Sequence, residues 1–141
     1  TMDSSFYICK PDDKWNTQET NETLRPVKFI YGKMGANPII WVQLDNLASA
    51  SSASDYASNV RSRYESRGLK DITVTKEVVA GKDVYIVSGT DTAKNSRFSV
   101  ALFWRSGVNK VLQLEYTAAG QDFSTYQPQF MTSVASVRDV R

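Results

Sequence analysis

Residues 97–105 read RFSVALFWR, and how many faces of this run are buried decides the fold. Side chains along a strand alternate, so Phe98, Val100, Leu102 and Trp104 point one way and Ser99, Ala101, Phe103 and Arg105 the other. The same parity divides PIIWVQLD at 38–45 into Ile40, Val42, Leu44 against Ile39, Trp41, Gln43. Further on, Leu112, Leu114 and Tyr116 oppose Val111, Gln113 and Glu115, and Val84 and Ile86 oppose Tyr85 and Val87. Taking the more apolar set of each strand together gives one strongly apolar face and a second that is partly apolar. A sheet with one wet face alternates more cleanly, so the second face is expected to be at least half covered.

The rest of the chain supplies what covers it. FYIC at 6–9 is a short strand, and 12–23 is a polar segment with one large apolar residue, Trp15. VKFIYGK at 27–33 and PIIWVQLD form a hairpin through Gly32 and Gly35. From a cap at Ser54 or Asp55, the spacing of Ala53, Ala57, Val60 and Tyr64 predicts a helix that stops at Gly68. Strands at 71–79, 83–89, 97–105 and 110–117 follow as a meander, broken at Ala80-Gly81, at DTAKNS and at Ser106-Gly107. The last segment carries Phe123, Tyr126, Phe130, Val134 and Val137 on one stripe, capped by Ser124 or Thr125 with Pro128 in the first turn, where its missing N–H costs nothing. The stripe is expected to close a core. The chain therefore reads as one α+β domain over 1–141, an antiparallel sheet of about six strands with a helix on each face.

Several function classes are disfavoured by composition. Seventeen Lys and Arg against fifteen Asp and Glu give a net charge of +2 without asymmetry along the chain, too little for phosphate neutralisation to drive nucleic-acid binding. The longest uninterrupted apolar run, VALFW at 100–104, is only five residues, far short of the ~20 residues of a spanning helix. One cysteine, Cys9, permits no internal disulfide and is read as a small buried hydrophobe. The start TMDSSF has no signal-peptide character, and a chain opening on Thr1 is expected to be a piece of a longer one.

Histidine is absent, which removes the usual general base and the commonest metal ligand. Asp12-Asp13 between Lys10 and Lys14, and Glu77 with Asp83 beside a hairpin tip, read as solvated surface. GKMGAN lacks the GK[ST] ending of a phosphate cradle, DTAKN lacks the oxygen ligands of a calcium loop, and Asn21-Glu22-Thr23 is a glycosylation pattern that chance supplies often. Arg61, Arg63, Arg67 and Lys70 read as a solvated helix face with Glu65 interspersed. No catalytic residue, metal ligand or cofactor follows from these residues.

The opening FYICKPDDKW, the helix with DYASNV near its start, the meander, and a closing helix that ends in x-S-V-x-S-V together resemble the PsbP-like superfamily. That superfamily includes the PsbP proteins, the Ran-binding Mog protein, DcrB-type lipoproteins and Eag-type secretion chaperones. The resemblance implies an α-β-α sandwich and a non-enzymatic domain that binds proteins. The chain lacks a Ran binder's acidic surface and any chloroplast feature.

Trp41, Tyr85, Phe103 and Arg105 are grouped on the less apolar face, as core under a helix or as a binding patch for a protein or peptide. The expected function is a protein- or peptide-binding accessory domain of a bacterial extracytoplasmic (lipo)protein, periplasmic or cell-surface, as monomer or homodimer. Two alternatives stand beside it: a cytoplasmic Eag-type secretion chaperone, and a small enzyme using Tyr or carboxylate chemistry between the sheet and the last helix.

Overall fold

The structure is a computed structural model that describes residues 6–21, 27–31, 38–46, 52–105 and 110–139. Gly32 and Gly35, Ser106 and Gly107, and most of the Asn21-Glu22-Thr23 pattern lie outside the described residues. In chain order the elements are β1 (Phe6–Tyr7), β2 (Trp15–Glu19), β3 (Val27–Tyr31), β4 (Ile39–Asn46), α1 (Ala53–Ser66), β5 (Lys70–Val79), β6 (Lys82–Asp91), β7 (Ser96–Arg105), β8 (Lys110–Ala119), α2 (Phe123–Ser136) and β9 (Arg138–Asp139).

Seven strands form one antiparallel sheet in the order β2-β3-β4-β8-β7-β6-β5. The expected hairpin is β3–β4, and the expected meander is β5 to β8. The seventh strand is β2, which lies in the segment 12–23 whose polar composition predicts no strand. It pairs with β3 from Trp15↔Tyr31 to Glu19↔Val27, and as an edge strand it buries only Trp15 fully. The FYIC run shortens to Phe6–Tyr7, which pairs with β9 in a separate two-stranded sheet. Ala80 and Gly81 both adopt positive φ (51° and 80°), so β5 and β6 meet through a two-residue turn whose twist matches that of the strands.

Ser52 caps α1, its Oγ accepting from the Asp55 amide at 3.1 Å; the cap lies before the expected Ser54 or Asp55 because α1 begins at Ala53. Gly68 (φ 84°) ends the helix as expected. α2 begins at Phe123, ahead of the expected Ser124 or Thr125 cap, and Asp122 makes no side-chain capping bond. Pro128 therefore lies inside the helix and not in its first turn, leaving the Ser124 carbonyl without its helical N–H.

α2 covers the face made by Ile40, Val42, Val84, Ile86, Ala101, Phe103, Leu112, Leu114 and Tyr116. Its stripe closes this core, with Phe123, Phe130, Val134 and Val137 all buried, each worth roughly 1.5–3 kcal/mol. Tyr116 stacks against Phe123 and Phe130 at 4.8 and 5.2 Å and donates its hydroxyl to the Phe123 carbonyl at 2.6 Å. Trp15 donates its indole N–H to Gln129 Oε1 at 2.6 Å, which ties β2 to α2.

On the opposite face α1 buries Tyr56, Ala57, Val60 and Tyr64 against Val87, Phe98, Val100, Leu102 and Val111. α1 packs on β5 and β6, whereas α2 packs on β8 and β7, so the helices are offset across the sheet. Among the described residues no helix covers the β4 part of the α1 side.

Candidate functional site: a groove beside α1

That offset leaves a groove floored by β4 and β8 and walled by the C-terminal half of α1. Its larger hollow, about 690 Å³, is lined among others by Ile39, Trp41, Tyr64, Arg67, Lys94 and Glu115. A second hollow of about 570 Å³ adds Gln43, Arg63 and Gln113, and it shares Tyr64, Arg67 and Glu115 with the first, so the two run together along the helix.

Register explains the floor. Trp41 lies between Lys28 of β3 and Glu115 of β8, while Ile39 lies between Ile30 and Thr117. All of these alternate with the core positions Ile40 and Val42 and so point away from α2. The Lys28 ammonium sits 4.6 Å from the Trp41 ring centroid, a cation–π contact that holds a positive charge beside the indole. On the helix wall the Arg67 guanidinium lies 5.8 Å from the Tyr64 ring, and Tyr64 packs edge-on against Phe98 at 5.0 Å. Gln113, almost fully buried, donates its amide to the Tyr56 hydroxyl and fixes the floor against α1. The site is thus an apolar strip on rigid elements, with cations on both banks.

Of the four residues grouped from the sequence, Trp41 is half-buried in this groove. Tyr85 is on the same side of the sheet but at the other end of α1, in a hollow of about 410 Å³ with Ser52, Lys76 and Asp83. Phe103 is on the opposite face, 5% exposed in the core under α2. The Arg105 side chain lies outside the described residues. The separation follows from register: Tyr85 pairs with Leu102, and Phe103 with Leu112, so the Phe103 set faces α2 and the Phe98, Val100, Leu102 set faces α1. Both sets of this central strand are buried, and the more apolar one goes to the second face. Lys28 and Glu115 are groove residues to which the sequence assigns no role, while Tyr64, expected in the helix stripe, and Arg67, expected on a solvated helix face, line the groove wall. Alternation within VKFIYGK was the available signal for Lys28.

Cys9 is exposed, where a buried thiol was expected, and it is its backbone that is tied to α2. Its carbonyl accepts from Ser133 Oγ at 2.9 Å and its amide donates to Ser136 Oγ at 3.0 Å. Asp12 and Asp13 are exposed, and Asp12 Oδ1 accepts from the Lys14 amide in a turn. Asp83 is in reach of Lys76 at 3.8 Å, and Glu77 is exposed. Tyr116, between the sheet and α2, is held well above the usual tyrosine pKa by burial first and then by Asp122 and Tyr126. It is fully buried with its proton already donated, which makes it a packing residue. Among the described residues, no group of three or more Cys, Asp or Glu is placed to hold a metal, and no helix is long and apolar enough to cross a membrane.

No family profile and no curated protein matches the sequence. Solved structures do match in fold. The solution structure of cyanobacterial PsbP (CyanoP) from Synechocystis sp. PCC 6803 superposes with a TM-score of 0.63 at 15% identity, covering 96% of this chain and 93% of that one. LpqN of Mycobacterium tuberculosis, described as involved in cell envelope biogenesis, gives 0.63 at 14% identity over 98% of this chain and 86% of its own. With its seven-stranded antiparallel sheet between two helices, the chain has the PsbP-like fold.

Proposed function

We propose that the chain is a non-enzymatic accessory domain that docks a protein or peptide partner in the groove beside α1, outside the cytoplasm. The observation that carries this reading is the half-buried Trp41 on a part of the sheet that no described helix covers, flanked by Ile39, Tyr64 and Arg67. Trp, Tyr and Arg are the side chains that most often anchor interfaces, and a groove on strands and a helix presents them without an ordering cost. The extracytoplasmic setting draws support from the fold shared with LpqN, a protein of cell envelope biogenesis.

The test is selection of random peptides displayed on phage against the chain, with counter-selection against Trp41→Glu. The reading expects sequences that bind the native chain and not the variant. Recovery only of peptides that bind both equally would place docking elsewhere.

A further inference from the structure

We infer that the groove is built for an acidic amphipathic segment of a protein partner, one that seats apolar side chains on Ile39 and Trp41 and sets carboxylates against Lys28, Arg63, Arg67 and Lys94. This rests on the docking reading and adds the chemistry of the occupant.

Charge placement carries the argument. Lys28 stands over Trp41 on the β3 bank; Arg63 and Arg67 line the α1 bank, and Lys94 lines the end near the β6–β7 turn. The described ion pairs, Arg61 with Glu65 and Lys76 with Asp83, use none of these four. Two carboxylates, Asp91 and Glu115, also line the groove. Asp91 is partly engaged, its Oδ1 accepting from the Lys94 amide at 3.3 Å. Among the described groove residues four cations thus stand against two carboxylates, so the apolar strip carries a net positive rim. Complementary potential of this kind selects partners and speeds encounter.

The shape favours a segment over a membrane. The apolar floor lies on β4 and β8 beside the wall of α1, a concave seat that suits a chain segment better than a flat bilayer. A helix about 10 Å across, or an extended strand, does enter such a groove.

The experiment uses fluorescein-labelled peptides of about fifteen residues, long enough for some four helical turns, titrated into the intact chain and read by anisotropy. One carries Leu and Phe at helical spacing with Glu and Asp between them; the other keeps the apolar positions and carries Lys and Arg. The expected result is at least about tenfold tighter binding of the acidic peptide, weakened by salt and reduced about tenfold by Arg63→Gln with Arg67→Gln. Both arginines are exposed, Arg63 on α1 and Arg67 at its C-terminal cap, and circular dichroism checks that the helix is retained. Equal or tighter binding of the basic peptide, still lost in Trp41→Ala, overturns the acidic preference and leaves the docking reading standing. No Trp41-dependent binding of either peptide overturns both. Binding to phosphatidylserine vesicles that the acidic peptide fails to displace also overturns the inference, in favour of a lipid surface.

Discussion

Phe98 of β7 lies across Gly89 of β6, so closely that a Cβ at residue 89 would come within 2.8 Å of Phe98 Cζ and 3.0 Å of the Lys70 carbonyl oxygen. The same ring packs edge-on against Tyr64 and lines the groove. One glycine therefore sets how deep Phe98 sits and, through it, the height of the α1 wall. The Lys70 carbonyl belongs to the backbone and cannot swing aside. Gly89→Ala is expected to cost roughly 1–3 kcal/mol in urea unfolding, the usual range for overpacking, although alanine has the better intrinsic strand fit.

Trp15 holds the edge strand β2 to α2 by packing and by one hydrogen bond to Gln129. Trp15→Phe keeps most of the packing and loses the bond, and a drop of about 0.5–1.5 kcal/mol is expected. Trp15→Ala opens a cavity under β2 and should cost about 3–5 kcal/mol. Chemical denaturation of the two variants side by side separates the contributions; equal losses would show that the hydrogen bond dominates.

Tyr116 makes stability sensitive to alkali. Its pKa is raised in the folded chain, so the folded state keeps the phenol proton at a pH where the unfolded chain has lost it. The stabilisation is complete below the ordinary tyrosine pKa of about 10 and is lost as pH rises above it toward the higher folded value. The melting temperature should fall between about pH 9 and 11, and it should fall less steeply in Tyr116→Phe than in the native chain. Identical slopes would remove Tyr116 as a source of the effect.

At the start of α1, Ser52 supplies a side-chain cap, accepting from the Asp55 amide. Ser52→Ala is expected to lower stability by about 1 kcal/mol, and Ser52→Asp to restore it, with urea midpoints as the readout. No change in Ser52→Ala would mean that water satisfies the amide equally well.

Much of this architecture is legible in the sequence, and the part that is not has a specific cause. The parity sets of β4, β6, β7 and β8, the two helices, the β5 to β8 meander and the α2 stripe all follow from spacing. Which parity of one strand shares a face with which parity of the next is fixed by register, and a slip of one residue exchanges the faces. In β7 both sets are apolar, so hydrophobicity could not choose between them, and Phe103 was placed beside Trp41 when it belongs under α2. The four-residue connection from Asp91 to Ser96 carried the missing information, since it sets Tyr85 opposite Leu102. β2 was invisible for a different reason: Asn16, Thr17 and Glu19 are exposed on an edge strand, and backbone pairing leaves no hydrophobic trace. The groove itself is a property of how α1 and α2 are offset, a tertiary relationship that no local pattern encodes.

The docking reading is tested most directly by amide-resolved NMR of the labelled chain during titration with a peptide from the phage selection. Perturbations are predicted to concentrate in Ile39–Gln43, Gln113–Thr117 and Ser62–Leu69, and to be absent from the α2 face. Perturbations centred on α2 or on the free edge of β5, with Trp41 unmoved, would contradict it.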